Sequence, residues 1–318
     1  MRIVFFGSPS FAVPALEALR AAGHDVALVV SQPGKPVGRK AEITDPPVAS
    51  RAKSLGMLVF QPPTLKDDAA FARLAEARAD AFVVAAYGKI LAQRVLDLPR
   101  LGCLNVHGSL LPRWRGASPV QASILAGDEK TGVSIMKMEA GMDTGPVYTM
   151  RETEIGEEET AEMLGARLAV AGAQALVETL HFLEGEEGRS PVPQDDSQAT
   201  YCPKIAREDA RVDWTRPAAE LVRRARAFTP WPGLFTTRRN ARLKLSHLSL
   251  VVEGPWAREG AAASSSPGTV LEAGSRVVVA CGEGAVAVAT LQAEGRKALP
   301  AADFVRGERV ASGETWGG

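Results

Sequence analysis

The first half of the chain alternates short apolar runs with helical spacing, and this alternation constrains the fold more than any other feature. Arg2–Phe6, Val26–Val30, Leu58–Phe60, Ala81–Ala85 and Cys103–Val106 are runs rich in β-formers. Between the first two, Phe11, Ala15, Leu16 and Leu19 recur at helical spacing within residues 10–22, closed by Gly23. Pro47–Leu55 and Asp67–Ala77 also read as helices. Parallel strands need a crossover, and a helix is the usual one. The spacing therefore predicts a mostly parallel sheet covered on both faces, a doubly wound α/β arrangement. Val133–Met138 and Val147–Glu152 read as further strands. Thr160–Glu184 reads as a long helix, with Glu157–Glu159 suited to its positive end.

The character changes at Gly185. Pro191, Pro193, Gln194, Asp195, Asp196, Ser197 and Gln198 follow with little periodicity, which marks a linker or an extended strap. The expected division is a first domain at 1–188, a linker at 189–206 and a second domain at 207–318. In the latter, Pro217–Phe228 reads as a helix carrying Arg223, Arg224 and Arg226. Leu243–Leu250, Gly268–Leu271, Arg276–Ala280 and Ala285–Leu291 are short and β-rich, which suggests a small barrel. Gly260–Pro267 is small and polar, as a mobile loop would be. Trp214 and Trp231 are expected in the core, because a lone tryptophan is usually a packing residue.

Charge and cysteine usage narrow the setting. Residues 207–318 carry 16 Lys/Arg against 12 Asp/Glu, leaving 21 and 25 on the rest of a chain of zero formal charge. A mildly basic second half permits a nucleic-acid partner without requiring one. Cys103, Cys202 and Cys281 are odd in number and far apart, so neither a disulfide framework nor a CxxC metal knuckle is expected. The apolar opening is broken at Gly7-Ser8-Pro9-Ser10, unlike a signal peptide, and no uninterrupted apolar stretch reaches the roughly 18 residues of a membrane span. The expectation is a cytoplasmic protein with no membrane contact, monomeric by default. The turn after the first strand does not read as a dinucleotide site. It has one glycine where GxGxxG needs three, and the second strand ends in Ser31-Gln32 rather than in an acid.

The chemistry concentrates where the strand at Cys103 runs out into Asn105-Val106-His107-Gly108-Ser109-Leu110-Leu111-Pro112. Asn105 and His107, two apart on a strand, face the same side. A second loop, Gly141-Met142-Asp143-Thr144-Gly145-Pro146, lies between two predicted strands. An amide N–H and a protonated imidazole both donate, while a carboxylate holds the imidazolium and accepts a proton. That set suits an acyl carbon whose oxygen becomes negative while an amine attacks, with no Ser or Cys nucleophile required. The bland alternative is a structural histidine and a turn-forming aspartate. Asn, His and Asp make a poor metal set, and no metal is expected.

The run Asn105–Pro119, NVHGSLLPRWRGASP, resembles the signature of the folate-dependent formyltransferases, and its RWRGAS extension resembles the narrower methionyl-tRNA formyltransferase family. Further similar stretches are Phe6–Ala12, Ser31–Arg39, Ala86–Leu91, Gly141–Gly145, Val212–Trp214, Arg226–Gly233 and Pro267–Val270. The resemblance implies a Rossmann-like catalytic domain followed by an OB-like domain. It implies 10-formyltetrahydrofolate as the formyl donor and co-substrate, and the α-amino group of methionine on initiator tRNA as acceptor. By the same similarity Asn105 and His107 would polarise the formyl oxygen, and Asp143 would set the charge of His107 and relay the amine's proton. Ser109, Leu110, Leu111 and Pro112, with Tyr87, Gly88, Ile90 and Leu91, would line the folate site. Arg39 and Lys40 would approach the tRNA, joined by Arg223 and Arg224. Two departures stand out. Ala41 and Glu42 follow Lys40 where the family usually carries further lysines, and Gly108 stands where it commonly has alanine. Related enzymes formylate amino-sugar nucleotides, which makes these the rival acceptors.

Overall fold

The computed structural model describes residues 1–37, 41–185, 190–257 and 265–317. They form two units. One comprises residues 1–123, 129–155 and 163–204; the other comprises 124–128, 156–162 and 205–318.

In the first unit, seven strands make one mixed, mostly parallel sheet. Its order is Val147–Glu154, Lys130–Lys137, Cys103–His107, Ala81–Ala85, Arg2–Gly7, Asp25–Val30, Val59–Phe60. The last five run parallel, and the first two are antiparallel additions at one side. Period-two alternation assigns the strands' side chains to two cores. Ile3 and Phe5 pack with Leu16 and Leu19 of the helix Val13–Ala21 and with Leu176 and Leu180 of the helix Ala161–Glu184. Val4 and Phe6 pack on the opposite face with Leu74 of the helix Asp68–Glu76 and with Val95. Both faces are therefore covered, as a parallel sheet requires.

The helix expected over residues 10–22 begins instead with a 3₁₀ turn, Ser10–Ala12, and continues as an α-helix at Val13–Ala21. Several elements went unread in the sequence, among them a helix and a pair of strands. The helix Pro119–Ala126, sequence PVQASILA, has no polar stripe to reveal a period. The antiparallel pair Lys35–Val37 and Glu42–Thr44 is too short to alternate visibly. Arg39 and Lys40, between those two strands, lie outside the described residues. So do positions 260–264 of the expected loop.

The second unit is built on a curled antiparallel sheet in the order Phe235–Arg238, Ala241–Leu250, Ala285–Ala293, Val277–Ala280, Val270–Ala273, with Leu299–Pro300 also paired to Ala285–Ala293. Among the described residues this strand order is open-ended. Part of its core is Val251, Leu271, Val278, Ala280, Ala285 and Ala287. The helix Ala218–Ala227 ends within one residue of each expected bound. Phe235–Arg238 escaped the sequence reading because its Arg238 is buried, held by Glu314 at 2.6 Å and by the Glu308 carbonyl at 3.0 Å.

Candidate active site

Alternation along Cys103–His107 sends Leu104 and Val106 into one core and leaves Asn105 and His107 together on the other face. His107 is almost fully enclosed, 5% exposed. Its Nε2 lies 2.9 Å from the carbonyl oxygen of Trp114. A carbonyl only accepts, so Nε2 carries a hydrogen and Nδ1 is left facing the Asp143 Oδ2 at 3.8 Å. That gap is longer than a hydrogen bond, so the carboxylate and the ring are neighbours without being locked.

Asp143 sits in the left-handed backbone region, φ 52°, in the loop between the strands Lys130–Lys137 and Val147–Glu154. The loop lies hard against the first of these strands: a side-chain carbon at Gly145 would fall 1.9 Å from the Lys137 carbonyl oxygen, so only glycine fits. Asp143 Oδ2 accepts the Gly116 backbone N–H at 2.9 Å, and its Oδ1 faces the Asn105 amide nitrogen at 3.4 Å. Of the three polar side chains expected to act together, Asn105 and His107 thus meet on the carboxylate of the third, Asp143.

The loop after the strand is fastened internally. Ser109 donates its hydroxyl to the Arg113 carbonyl at 2.6 Å, and Ser134 donates to the Ser109 carbonyl at 2.7 Å while accepting from Leu111 N. Ser109 is fully buried and so committed, and it offers no nucleophile. The cysteines offer none either, because burial raises all three thiols, Cys103 and Cys281 to about 12. Among the described residues no cluster of three His, Cys, Asp or Glu is arranged to hold a metal ion.

The other expected donor-site residues are placed unevenly. Leu111 packs with Met136 and Val147, while Leu110 and Pro112 are half-buried. Tyr87 and Leu91 belong to the core, with Tyr87 edge-on to Phe6 at 5.5 Å between ring centres. Burial pushes the Tyr87 hydroxyl up to about 12 and leaves it without a partner among the described residues. Gly88 is exposed at φ 77°, and Ile90 is 90% exposed. The strand before them, Ala81–Ala85, is the parallel neighbour of Cys103–His107, so this segment and the Gly108–Pro112 loop leave the sheet at the same edge. The turn at Gly7 lies there too, tied by the Gln32 backbone N–H to Ser8 Oγ at 3.1 Å, and Gln32 Nε2 donates to the Tyr87 carbonyl at 2.7 Å.

In the second unit, Arg223 and Arg224 are half-buried. Arg224 donates to the Asp209 carbonyl and lies over the Phe228 ring, while the Arg223 side chain packs beside Gly127. Trp214 is buried as expected, but Trp231 is 53% exposed, which corrects its assignment to the core. It borders a concavity of about 320 Å³ with Arg207, Arg242 and Lys244. The sequence also left three residues beside Asp143 without a role: Arg115, Gly116 and Gln194. Arg115 and Gly116 lay inside the RWRGAS run, which was the available signal; Gln194 lay in the aperiodic strap.

Comparison with known proteins places this architecture among the formyl transferases: the formyl transferase family model matches residues 1–180, and that of the formyl transferase C-terminal domain matches residues 204–309. The chain is 46% identical over 318 residues to methionyl-tRNA formyltransferase of Thiobacillus denitrificans, covering 100% of both, and 47% identical to that of Jannaschia sp., covering 98% of this chain and 99% of the relative. It belongs to the methionyl-tRNA formyltransferase family. Its fold is also that of an N-formyltransferase from Helicobacter canadensis solved with folinic acid and dTDP-3-aminofucose, at a TM-score of 0.65 and 15% identity, covering 91% of this chain and 99% of that one.

Proposed function

We infer that this chain transfers the formyl group of 10-formyltetrahydrofolate to the α-amino group of methionine on initiator methionyl-tRNA, an early step of translation initiation in the cytoplasm. The observation that carries the reading is the meeting of Asn105 and His107 on the carboxylate of Asp143. Attack of the amine nitrogen on the formyl carbon forms one C–N bond and converts the carbonyl to an alkoxide. The Asn105 amide and the His107 Nδ1–H of the imidazolium form donate to that oxygen. Asp143 takes the proton that the amine sheds. Collapse breaks the bond to N10 of the folate, which leaves with a proton in place of the formyl group. An oxyanion donor of this kind is worth roughly 2.7–4 kcal/mol. The donor is a substrate, bound against the Ser109–Pro112 loop and the Tyr87–Leu91 segment, and no metal takes part.

The division of labour is catalysis in 1–188, a connection at 189–206 and tRNA binding by an OB-like 207–318, in a monomer. Supporting the tRNA reading, Arg207, Arg242 and Lys244 surround the exposed face of Trp231. Cations for phosphates beside an aromatic face for a base are what a single-stranded acceptor end needs. Arg242 lies over the Phe235 ring at 3.7 Å, which fixes its direction. Arg39 and Lys40 supply further charge to the tRNA, as do Arg223 and Arg224 where their half-buried guanidinium groups reach the surface.

The test is transfer of label from 10-formyltetrahydrofolate to charged initiator tRNA, beside a dTDP-amino sugar as rival acceptor. Label in formylmethionine is the expected result. Label in the sugar with none in methionine would overturn the acceptor.

A further inference from the structure

We propose that Arg115 and Gln194 are positioning residues for formyl transfer: a buried guanidinium and the half-buried amide it holds fix the backbone of the Asp143 loop, so that the carboxylate stays aimed at Asn105 and His107. The proposal rests on the function inferred above and names residues to which that reading gives no part.

Arg115 is 1% exposed. Its Nε and Nη2 both donate to Gln194 Oε1, at 3.0 and 2.9 Å. Nη2 also reaches Asp196 Oδ1 at 2.7 Å, and Nη1 lies 3.4 Å from the Tyr201 hydroxyl. With its oxygen fixed by two guanidinium donors, the Gln194 amide has one orientation, and its nitrogen must point away from the arginine. There it donates to the carbonyls of Asp143, at 2.8 Å, and Gly145, at 2.6 Å. A flipped amide would set N–H against N–H and oxygen against two carbonyls, so the network itself excludes it.

The pair is one part of a larger bracket. Trp114 orients His107 through its carbonyl, Arg115 holds the Asp143 main chain through Gln194, and Gly116 holds the Asp143 carboxylate through its N–H. Three consecutive residues thus reach the histidine, the loop and the carboxylate. They are pinned in turn by the strap: Thr200 Oγ1 accepts from Trp114 N at 2.8 Å, the Thr200 carbonyl from Arg115 N at 2.8 Å, and the Cys202 carbonyl from Ala117 N at 3.0 Å. Asp143 needs such support. Its left-handed backbone conformation is unfavourable in a non-glycine residue and persists only where the surroundings over-determine it. A misplacement of about 1 Å at a reacting centre can cost about 10²-fold in rate.

The experiment compares Gln194→Ala and Gln194→Glu with wild type, alone and combined with Asp143→Asn. Gln194→Glu is the controlled variant. It keeps, and charges, the partner of Arg115, so the fold retains its buried arginine contact, but it replaces the donor to the loop by an acceptor. For both single variants the expected result is a fall in kcat of about 10²-fold, with KM for each substrate within about twofold; Gln194→Glu should still unfold in one cooperative transition, its ion pair with Arg115 offsetting part of the repulsion between the new carboxylate and the two loop carbonyls. In the Asp143→Asn background neither change should lower the rate further, because a residue acting through Asp143 has nothing left to position. Hydrogen exchange of residues 141–146 should rise in both single variants. A kcat within twofold of wild type, or an equal proportional loss with and without Asp143, would overturn the proposal. If wild type formylates only an amino sugar, the acceptor assignment fails and the same ratios are read on the sugar. If no acceptor is formylated, hydrogen exchange decides the bracket.

Discussion

The polar groups of the first unit and the cations of the second are arranged in opposite ways. Around Asp143 the side chains are held by neighbouring groups: His107 by a backbone carbonyl, Asp143 by a backbone N–H, Gln194 by a guanidinium. Around Trp231, Arg207 and Lys244 are exposed, and the aromatic face is half open. The difference fits the roles proposed for the two regions. A group that stabilises a transient alkoxide must be fixed beforehand, because reorganisation at the moment of reaction would cancel its benefit. A surface that meets a polyanion gains from charge that water has left accessible, and it tolerates mobile side chains because released counterions supply much of the affinity. Changes in the first unit should therefore appear in kcat and ignore salt. Changes in the second should appear in KM for tRNA and follow salt.

The largest effect expected is at Asp143. Asp143→Ala removes the proposed proton acceptor and should lower kcat by about 10²–10⁴-fold, while donor binding, measured by fluorescence or calorimetry, stays measurable. Loss of donor affinity in proportion to rate would make Asp143 a binding residue and dissolve the contrast. Next comes Gly116→Ala. The position has φ 122°, and an added side-chain carbon would lie 2.3 Å from the Cys202 carbonyl oxygen. Strain and overpacking together cost roughly 2–6 kcal/mol. The variant should melt several degrees lower and lose kcat as well, because the N–H that holds Asp143 must shift. A thermal midpoint and rate both equal to wild type would show that the bracket yields freely.

Legibility in the sequence divides along related lines. The alternation of apolar strand runs with helical segments predicted a doubly covered sheet, and in the structure Ile3 and Phe5 fill one core while Val4 and Phe6 fill the other. Asn105, His107 and Asp143 were readable because the chemistry restricts residue type: an amide, an imidazole and a carboxylate are hard to replace. The bracket was not readable, for two reasons. Trp114 and Gly116 act through a carbonyl and an N–H, which nearly every residue has. Arg115 and Gln194 stand 79 positions apart, so nothing local links them. Buried charge misled in the second unit, where Arg238 hid a strand; Trp231 misled in the reverse sense, since a lone tryptophan is normally packed.

Smaller effects are expected on the surface proposed to face tRNA. Trp231→Ala removes an aromatic face worth roughly 1–3 kcal/mol per stacked base, which should raise KM for methionyl-tRNA about tenfold at unchanged kcat. Lys244→Ala should reduce the slope of log affinity against log salt by about one, as loss of a single phosphate contact does. The donor's KM should be insensitive to salt in both variants. A salt-independent tRNA affinity in the wild type would break the comparison outright, since the second unit would then be recognising its partner without charge.

The smallest change expected is the sharpest control. Gly108 follows His107 directly, so a substitution there tests whether the histidine depends on its chain neighbour or on the bracket. An added side-chain carbon would meet Val120 at 3.2 Å and Phe11 and Pro119 at 3.7 Å, and the backbone is outside the left-handed region. Gly108→Ala reduces the freedom of the unfolded chain, which favours folding by about 0.4–1 kcal/mol. Crowding of the Val120 methyl offsets part of that, since small-to-large changes in packed sites carry their own cost. The net shift in stability should be small, and kcat should stay within about twofold, because the ring is oriented by the Trp114 carbonyl across the loop and not by residue 108. A tenfold loss of kcat at unchanged thermal midpoint would mean that His107 takes its direction from the adjoining backbone.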